Sequence, residues 1–378
     1  MKRTLIFDTN HSGHILEYLH HIYDGAMSKK NEIFIFVLSP YLIPFMDKFQ
    51  WPACDNIQII FLDEKDIKRC TKGNLLLSSI VKSGILCKYV HKFKINRVLL
   101  IYFIQYMPVL LFLLPKEVKV SGIVYRIFLY DDGVNKLWIR KQMEWVRFWL
   151  IAHSRHTSKV MMLNDNYSVR IFNHRFNTNK FVRLADPYSP TNSNPISLRE
   201  ELGMKENDRL FIHFGSLTQR KGILEILGAI EMLSSEERQR NYFYFAGKVE
   251  ENIKAEVHSK ISRLKSNGYR VELKDEFCSY EFLTSLSYSS DAVLVPYINT
   301  CQSSGLLSYA AQFHKTVIGP HKGLLGNLIK DYKLGYVLHE ISASSIYLAI
   351  KDFTPIQISN DYLETNSIQR FKEVLSLN

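Results

Sequence analysis

Residues Phe211 to Gly222, FIHFGSLTQRKG, limit the folds open to this chain more than any other stretch. An apolar run of alternating aromatic and aliphatic residues reads as a strand. It breaks at Gly215-Ser216, presents Arg220 and Lys221 side by side, and gives way after Gly222 to the helix-like run ILEILGAIEML. Strand, glycine turn, helix is the repeating unit of a parallel sheet. A glycine at a strand end lets backbone N–H groups approach an anion closely, and the helix that follows adds partial positive charge. Two adjacent cations suit a diphosphate better than a single carboxylate. Taken alone, the same pattern also describes an ordinary turn with two solvated charges.

A second stretch of the same kind runs from Val295 to Gly319, VPYINTCQSSGLLSYAAQFHKTVIG, read as strand, loop, helix and strand. Ser303, Ser304 and Gly305 are expected to open that helix, with Gln302 just before them, and small polar residues cap helix starts well. Ligands of open parallel sheets gather at the strands' carboxyl ends, so two anion-receptive turns in one α/β domain could face one crevice.

The rest of the chain keeps the same rhythm. Strands are expected at 4–7, 33–38, 57–62, 98–103, 121–130, 160–163 and 181–184, and helices at 13–27, 74–91, 136–153 and 165–174. A second alternation fills 210–350, and 361–377 reads as one amphipathic helix. Strands separated by helices imply doubly wound, largely parallel sheets. Asp186 to Pro195, DPYSPTNSNP, has the composition of a linker, and 378 residues suit two domains better than one. The apolar run Val98–Leu114 approaches spanning length, but Gln105 and Pro108 divide it into a buried strand and a short helix.

Charge is uneven. Residues 1–190 hold 27 Lys/Arg against 15 Asp/Glu, whereas 191–378 hold 21 against 22. A basic first half suits an acidic partner such as an anionic membrane surface or a phosphorylated lipid, or it serves solubility alone. Nucleic acid is the weaker reading, because the charges are scattered and no nucleic-acid-binding motif appears. Five dispersed cysteines without a CxxC pair fit a reducing cytosol, and no metal constellation is legible, His20 and His21 being placed on different helix faces. The Trp-rich helix at 136–153 reads as core, while Arg140, Lys141 and Arg147 leave room for a membrane-facing role.

GSLTQRKGILEILGAI, the VLVPY strand, QSSGLLSYAAQFHKTVIG and KGLLGNLIKDYKLGYVL, in that order over about residues 205–350, resemble the C-terminal domain of family-4-type glycosyltransferases of the GT-B fold. The resemblance implies two Rossmann-like domains facing a central cleft. Residues 1–187 would form the acceptor-side domain, 196–354 the nucleotide-sugar-binding domain, and a C-terminal helix, 355–378, would cross back to the first. It implies transfer from a nucleoside-diphosphate sugar to a glycan or lipid-linked acceptor, with no metal or other cofactor, in the cytoplasm or peripheral to the inner face of the membrane.

By the same resemblance Lys221 contacts phosphate; Ser216 stands where the family commonly has Arg, with Arg220 as its substitute from the other side of the turn, and Gly215, Gln302, Ser303, Ser304 and Gly305 are the other groups available to a diphosphate. Phe277 falls in the base-binding loop, as a stacking residue or a plain strand-end aromatic. Gly13 and His14 belong to the glycine loop after the first strand, and Asp132, in Asp131-Asp132-Gly133, either orients an acceptor hydroxyl or simply turns the chain.

The chain departs from the family where many members carry two glutamates, having Cys301 and Tyr309 near those places, and where a mid-domain His is common, having Gln105. With no evident base, a retaining front-face reaction fits better than an inverting one. A non-catalytic GT-B-like binding or scaffold protein is the alternative.

Overall fold

The computed structural model describes residues 2–10, 15–130, 138–188 and 194–375, with Lys48 described by its backbone alone. The chain divides into two compact units, residues 1–187 with 367–378, and residues 188–366.

The first unit is built on seven parallel strands in the order β3-β2-β1-β4-β5-β6-β7. In sequence these are β1 (Lys2–Phe7), β2 (Glu32–Leu38), β3 (Ile57–Phe61), β4 (Arg97–Leu100), β5 (Lys119–Val124), β6 (Thr157–Leu163) and β7 (Phe181–Leu184). Between them run α1 (Ile15–Met27), α2 (Glu64–Thr71), α3 (Leu75–Lys92), α4 (Val109–Leu113), α5 (Trp138–His153) and α6 (Asn166–Phe176). Central parallel strands are covered on both faces and so read as continuous apolar runs. Leu5, Ile6 and Phe7 of β1 are fully buried accordingly, whereas the edge strand β3 is only half-buried.

The second unit has six parallel strands in the order β10-β9-β8-β11-β12-β13. They are β8 (Arg209–Phe214), β9 (Asn241–Ala246), β10 (Arg270–Lys274), β11 (Ala292–Leu294), β12 (Thr316–Pro320) and β13 (Gly335–Leu338). The helices are α7 (Ile223–Glu231), α8 (Ser235–Arg240), α9 (Glu251–Ser266), α10 (Tyr280–Ser289), α11 (Leu306–Gln312), α12 (Gly323–Asp331), α13 (Ala343–Lys351) and α14 (Asp361–Thr365). Its core joins Phe211 on β8, Ile226 and Ile230 on α7, Val257 on α9 and Ile346 on α13. Both sheets reverse their strand order once, between β1 and β4 and between β8 and β11. Such switch points open a crevice at the carboxyl ends of the two strands.

Several boundaries differ from the sequence reading. The stretch expected as a strand over 121–130 ends at Val124 and finishes in a single 3-10 turn at Phe128–Tyr130. The tail expected as one helix over 361–377 is two, α14 and α15 (Ile368–Val374), because the Ser367 side chain accepts from the Arg370 N–H and caps a new start. Phe371 on α15 is fully buried in the first unit against Tyr18 of α1, ring centroids 5.3 Å apart. The helix α2 had no sequence expectation; its eight residues are mostly charged and bury only Ile67 and Cys70. No helix among the described residues is long and apolar enough to cross a membrane.

Candidate functional site

At the β8/β11 switch point the chain leaves β8 through Gly215, whose φ of +90° is the left-handed region that suits glycine. A 3-10 turn over Gln219–Lys221 follows, closed by the Lys221 N–H to the Thr218 carbonyl at 3.0 Å. This tight turn sends neighbouring side chains in different directions: Arg220 is exposed, Lys221 only 9% exposed. A Cβ added at Gly215 would lie 3.3 Å from Lys221 Nζ, so the ammonium hangs directly over the glycine turn.

The loop after β11 closes on the same place. The Ile298 N–H donates to the Arg220 carbonyl at 2.9 Å. Gly222, at φ +78°, brings the start of α7 so close that a Cβ there would fall 2.2 Å from the Pro296 carbonyl oxygen. Lys221 Nζ sits 5.3 Å from the centroid of the Tyr297 ring and the Arg220 guanidinium 6.0 Å from it. The Tyr297 hydroxyl shares a 2.9 Å hydrogen bond with Ser304 Oγ, which also accepts from the Leu306 N–H at 3.4 Å.

The electrostatics follow from burial. His213, one residue before the end of β8, bonds the Leu294 carbonyl through Nδ1 at 2.8 Å. A carbonyl only accepts, so Nδ1 carries the proton and Nε2, buried without a partner among the described residues, keeps its lone pair. Burial pushes the His213 pKa down to about 3, and the nearby Lys221 charge adds to the effect, so this ring stays neutral. Lys221 is then the buried cation of the site, and among the described residues no carboxylate forms an ion pair with it. A cation in that position is an incomplete pair and favours an anion.

Of the residues singled out in the sequence, the structure gathers Gly215, Arg220, Lys221 and Ser304 at this crevice. Exposed Ser216 begins the turn, and half-buried Gln302, Ser303 and Gly305 lie on the loop that closes it. The helix expected to be opened by Ser303, Ser304 and Gly305 begins at Leu306 with Gly305 as its cap, and Ser304 is engaged with Tyr297. Phe277 follows β10, two strands from β8 at the same end of the sheet, and is 81% exposed. Cys301 is buried, and Tyr309 packs edge-on against Phe214 at 5.2 Å, so neither position offers a carboxylate. Sequence reasoning missed His213 and also Glu225, whose Oε2 in the first turn of α7 is buried and has no partner among the described residues. An acid four residues after Lys221 was the available signal.

Gly13, His14 and Asp132 lie outside the described residues. The switch point of the first unit presents another residue missed by the sequence reading, Asp8, directly after β1 and 1% exposed. Its Oδ1 accepts from the Asn10 N–H at 2.7 Å and from Asn10 Nδ2 at 2.8 Å, while Oδ2 has no partner among the described residues. Burial raises its pKa to about 6 against the pull of Asn10 and Lys82. Lys82, itself buried, donates to Gln105 Oε1 at 2.7 Å, and burial lowers its pKa. A buried acid at a strand's carboxyl end is the kind of perturbed group that functional sites accumulate.

On α1, the His20 and His21 rings placed on different faces by the sequence reading do approach each other, their ligand atoms and that of Asp24 lying within 4.8 Å. Lys372 Nζ stands 3.7 Å from Asp24 Oδ2 and already supplies a cation there.

No family model matches the sequence, and no curated protein matches it. Solved structures match over the whole chain. HepE from Anabaena, in complex with UDP and glucose, is 15% identical with a TM-score of 0.67, the match covering 100% of this chain and 97% of HepE. WaaG, a glycosyltransferase involved in lipopolysaccharide biosynthesis, is 13% identical with a TM-score of 0.63, covering 100% and 95%. A UDP-forming α,α-trehalose-phosphate synthase from Burkholderia vietnamiensis is 9% identical with a TM-score of 0.71, covering 100% and 99%. At these identities the likeness carries the fold: the chain has the two-domain, Rossmann-like GT-B architecture.

Proposed function

We propose that the protein is a glycosyltransferase that moves a sugar from a nucleoside-diphosphate sugar to a glycan or lipid-linked acceptor at the inner face of a membrane. The observation that carries this reading is the buried Lys221 ammonium, free of any ion pair among the described residues, over the glycine turn at the β8/β11 switch point. When the bond from the anomeric carbon to the phosphate oxygen breaks, negative charge grows on the departing diphosphate. Lys221 and Arg220 meet that charge, and the Gly215-Ser216 turn with the Gln302–Gly305 loop cradles the phosphates. Two cations supply this without a metal ion. The GT-B fold and the UDP bound by HepE support a UDP-sugar as the first donor to try.

The reaction is retaining. The acceptor oxygen bonds to the anomeric carbon on the face the diphosphate leaves, and the acceptor's proton passes to the departing phosphate oxygen. Residues 1–187 act on the acceptor side, where His14, next to Gly13, and Asp132 orient the acceptor hydroxyl. Residues 196–354 hold the nucleotide sugar, with Phe277 against the base.

The test is turnover of UDP-glucose and other nucleotide sugars by the protein and by Lys221→Ala. The variant should lose roughly 3 to 4 kcal/mol of transition-state stabilisation, a rate loss of about 10²–10³, with its fold intact. The missing acids at Cys301 and Tyr309 favour a second reading, a nucleotide-sugar-binding scaffold. That reading wins if the protein binds nucleotide without turnover and Lys221→Ala weakens only affinity.

A further inference from the structure

One helix is apolar where a soluble protein should be polar. On α5, Phe148, Ile151 and Ala152 are buried, Phe148 stacking on Phe172 of α6 at 4.6 Å with rings 6° from parallel. At about 100° per residue, Trp138, Ile139, Met143, Val146 and Trp149 fall within an arc of about 140° on nearly the opposite side. All five are exposed, from 51% for Trp149 to 74% for Trp138. A surface helix ordinarily turns charge to that side, and a largely apolar exposed face of this kind marks an interaction surface. Half-buried Gln142 and exposed His153 stand within the same arc, and on this spacing Arg140 and Lys141 each lie about 60° beyond one of its edges. Arg140 and Lys141 are exposed, whereas Arg147 is paired with Glu144 at 2.9 Å.

We infer that this outward face of α5 is a docking surface for an anionic lipid bilayer, with the helix lying in the plane of the membrane interface. Three observations select lipid over a protein partner. Trp138 and Trp149 stand about 16 Å apart at the two ends of the face, and Trp rings settle at the headgroup level. Arg140 and Lys141 flank the face in a half-chain that carries 27 Lys/Arg against 15 Asp/Glu, which complements anionic headgroups.

The third observation concerns symmetry. A second copy docking through the same face about a two-fold axis would bring these like charges together, so a homodimer is disfavoured there. Crossovers between parallel strands are right-handed, which places α3, α4, α5 and α6 on one side of the seven-stranded sheet. That layer also exposes Phe112 on α4 and Leu75 and Leu76 at the start of α3. The docking rests on the transferase reading only for its purpose, which is to hold the enzyme where a lipid-linked acceptor is.

The experiment is flotation of the full chain with vesicles of phosphatidylcholine alone and of phosphatidylcholine with phosphatidylglycerol. The Trp138→Ser, Met143→Ser, Trp149→Ser triple variant and the Arg140→Gln, Lys141→Gln double variant are run alongside. The protein should float with the anionic vesicles with a blue-shifted Trp emission. The triple variant should bind at least about tenfold more weakly without a change in melting temperature. The double variant should lose its preference for anionic lipid.

Undiminished binding by the triple variant overturns the inference. So does absence of binding by the parent chain, or a parent dimer that the triple variant turns into monomer without any vesicle binding. Transfer to a water-soluble acceptor reads the other proposal separately. Vesicle binding without turnover leaves the docking face standing and removes the transferase, and turnover without vesicle binding does the reverse.

Discussion

Asp8 shows what a single residue contributes when its environment disagrees with its charge. Burial raises its pKa from the ordinary 3.8 to about 6. The unfolded chain therefore releases this proton near pH 3.8 while the folded chain keeps it to about 6. Between those values the unfolded state holds fewer protons, so stability falls as pH rises, by about 3 kcal/mol in total above pH 6. Asp8→Asn keeps an oxygen for the Asn10 N–H and removes the charge. It should be more stable than the parent by about 1–3 kcal/mol at pH 8 and equal to it near pH 4, read by urea denaturation at both pH values. The residue was legible only in part. An acid after LIF and before a polar turn is visible in the sequence, but its burial near Lys82 and Tyr106 comes from elements distant in the chain. Lys221 was legible because its meaning is local, a cation between a strand end and a helix start. Its partner Tyr297 was not, because a tyrosine after an apolar strand reads as core.

At the scale of elements, the two loops at the β8/β11 switch point behave as one piece. Gly222 is the joint: its left-handed φ and the 2.2 Å approach to the Pro296 oxygen mean any side chain there must push the loops apart. Gly222→Ala should cost about 1–3 kcal/mol by chemical denaturation. By moving Lys221 off Tyr297 it should also weaken nucleotide affinity by at least about tenfold in titration calorimetry. Parallel strands were readable because both faces are buried and the apolar runs are unbroken, as in LIF of β1 and FIFVL of β2. Ends were less so. Val124 ends β5 although the apolar character continues to Tyr130, since Phe128 serves a ring cluster with Trp145, Phe148 and Phe172 rather than a ladder. The start of α11 follows Ser303, Ser304 and Gly305, but the second bond of the Ser304 hydroxyl, to Tyr297, could not be read from a run of small polar residues.

For the molecule as a whole, the GT-B architecture was readable from the order of four short segments, none of which carries it alone. The position of the tail was harder to derive, because an amphipathic run shows that one face is buried without showing against what. Phe371 answers that question for α15: it fills the first unit's core between Tyr18 and His21. Phe371→Ala should destabilise that unit by about 3–5 kcal/mol. Hydrogen exchange should quicken in β1, α1 and β7 while amides of β8 to β13 keep their protection. This placement also sets an order of events during synthesis. Domains commonly fold from the N-terminus as the ribosome releases them, yet residues 367–374 emerge only after every residue of the second unit. The earlier-made of the two units thus waits, with an open seam along α1, until the later-made one is already out.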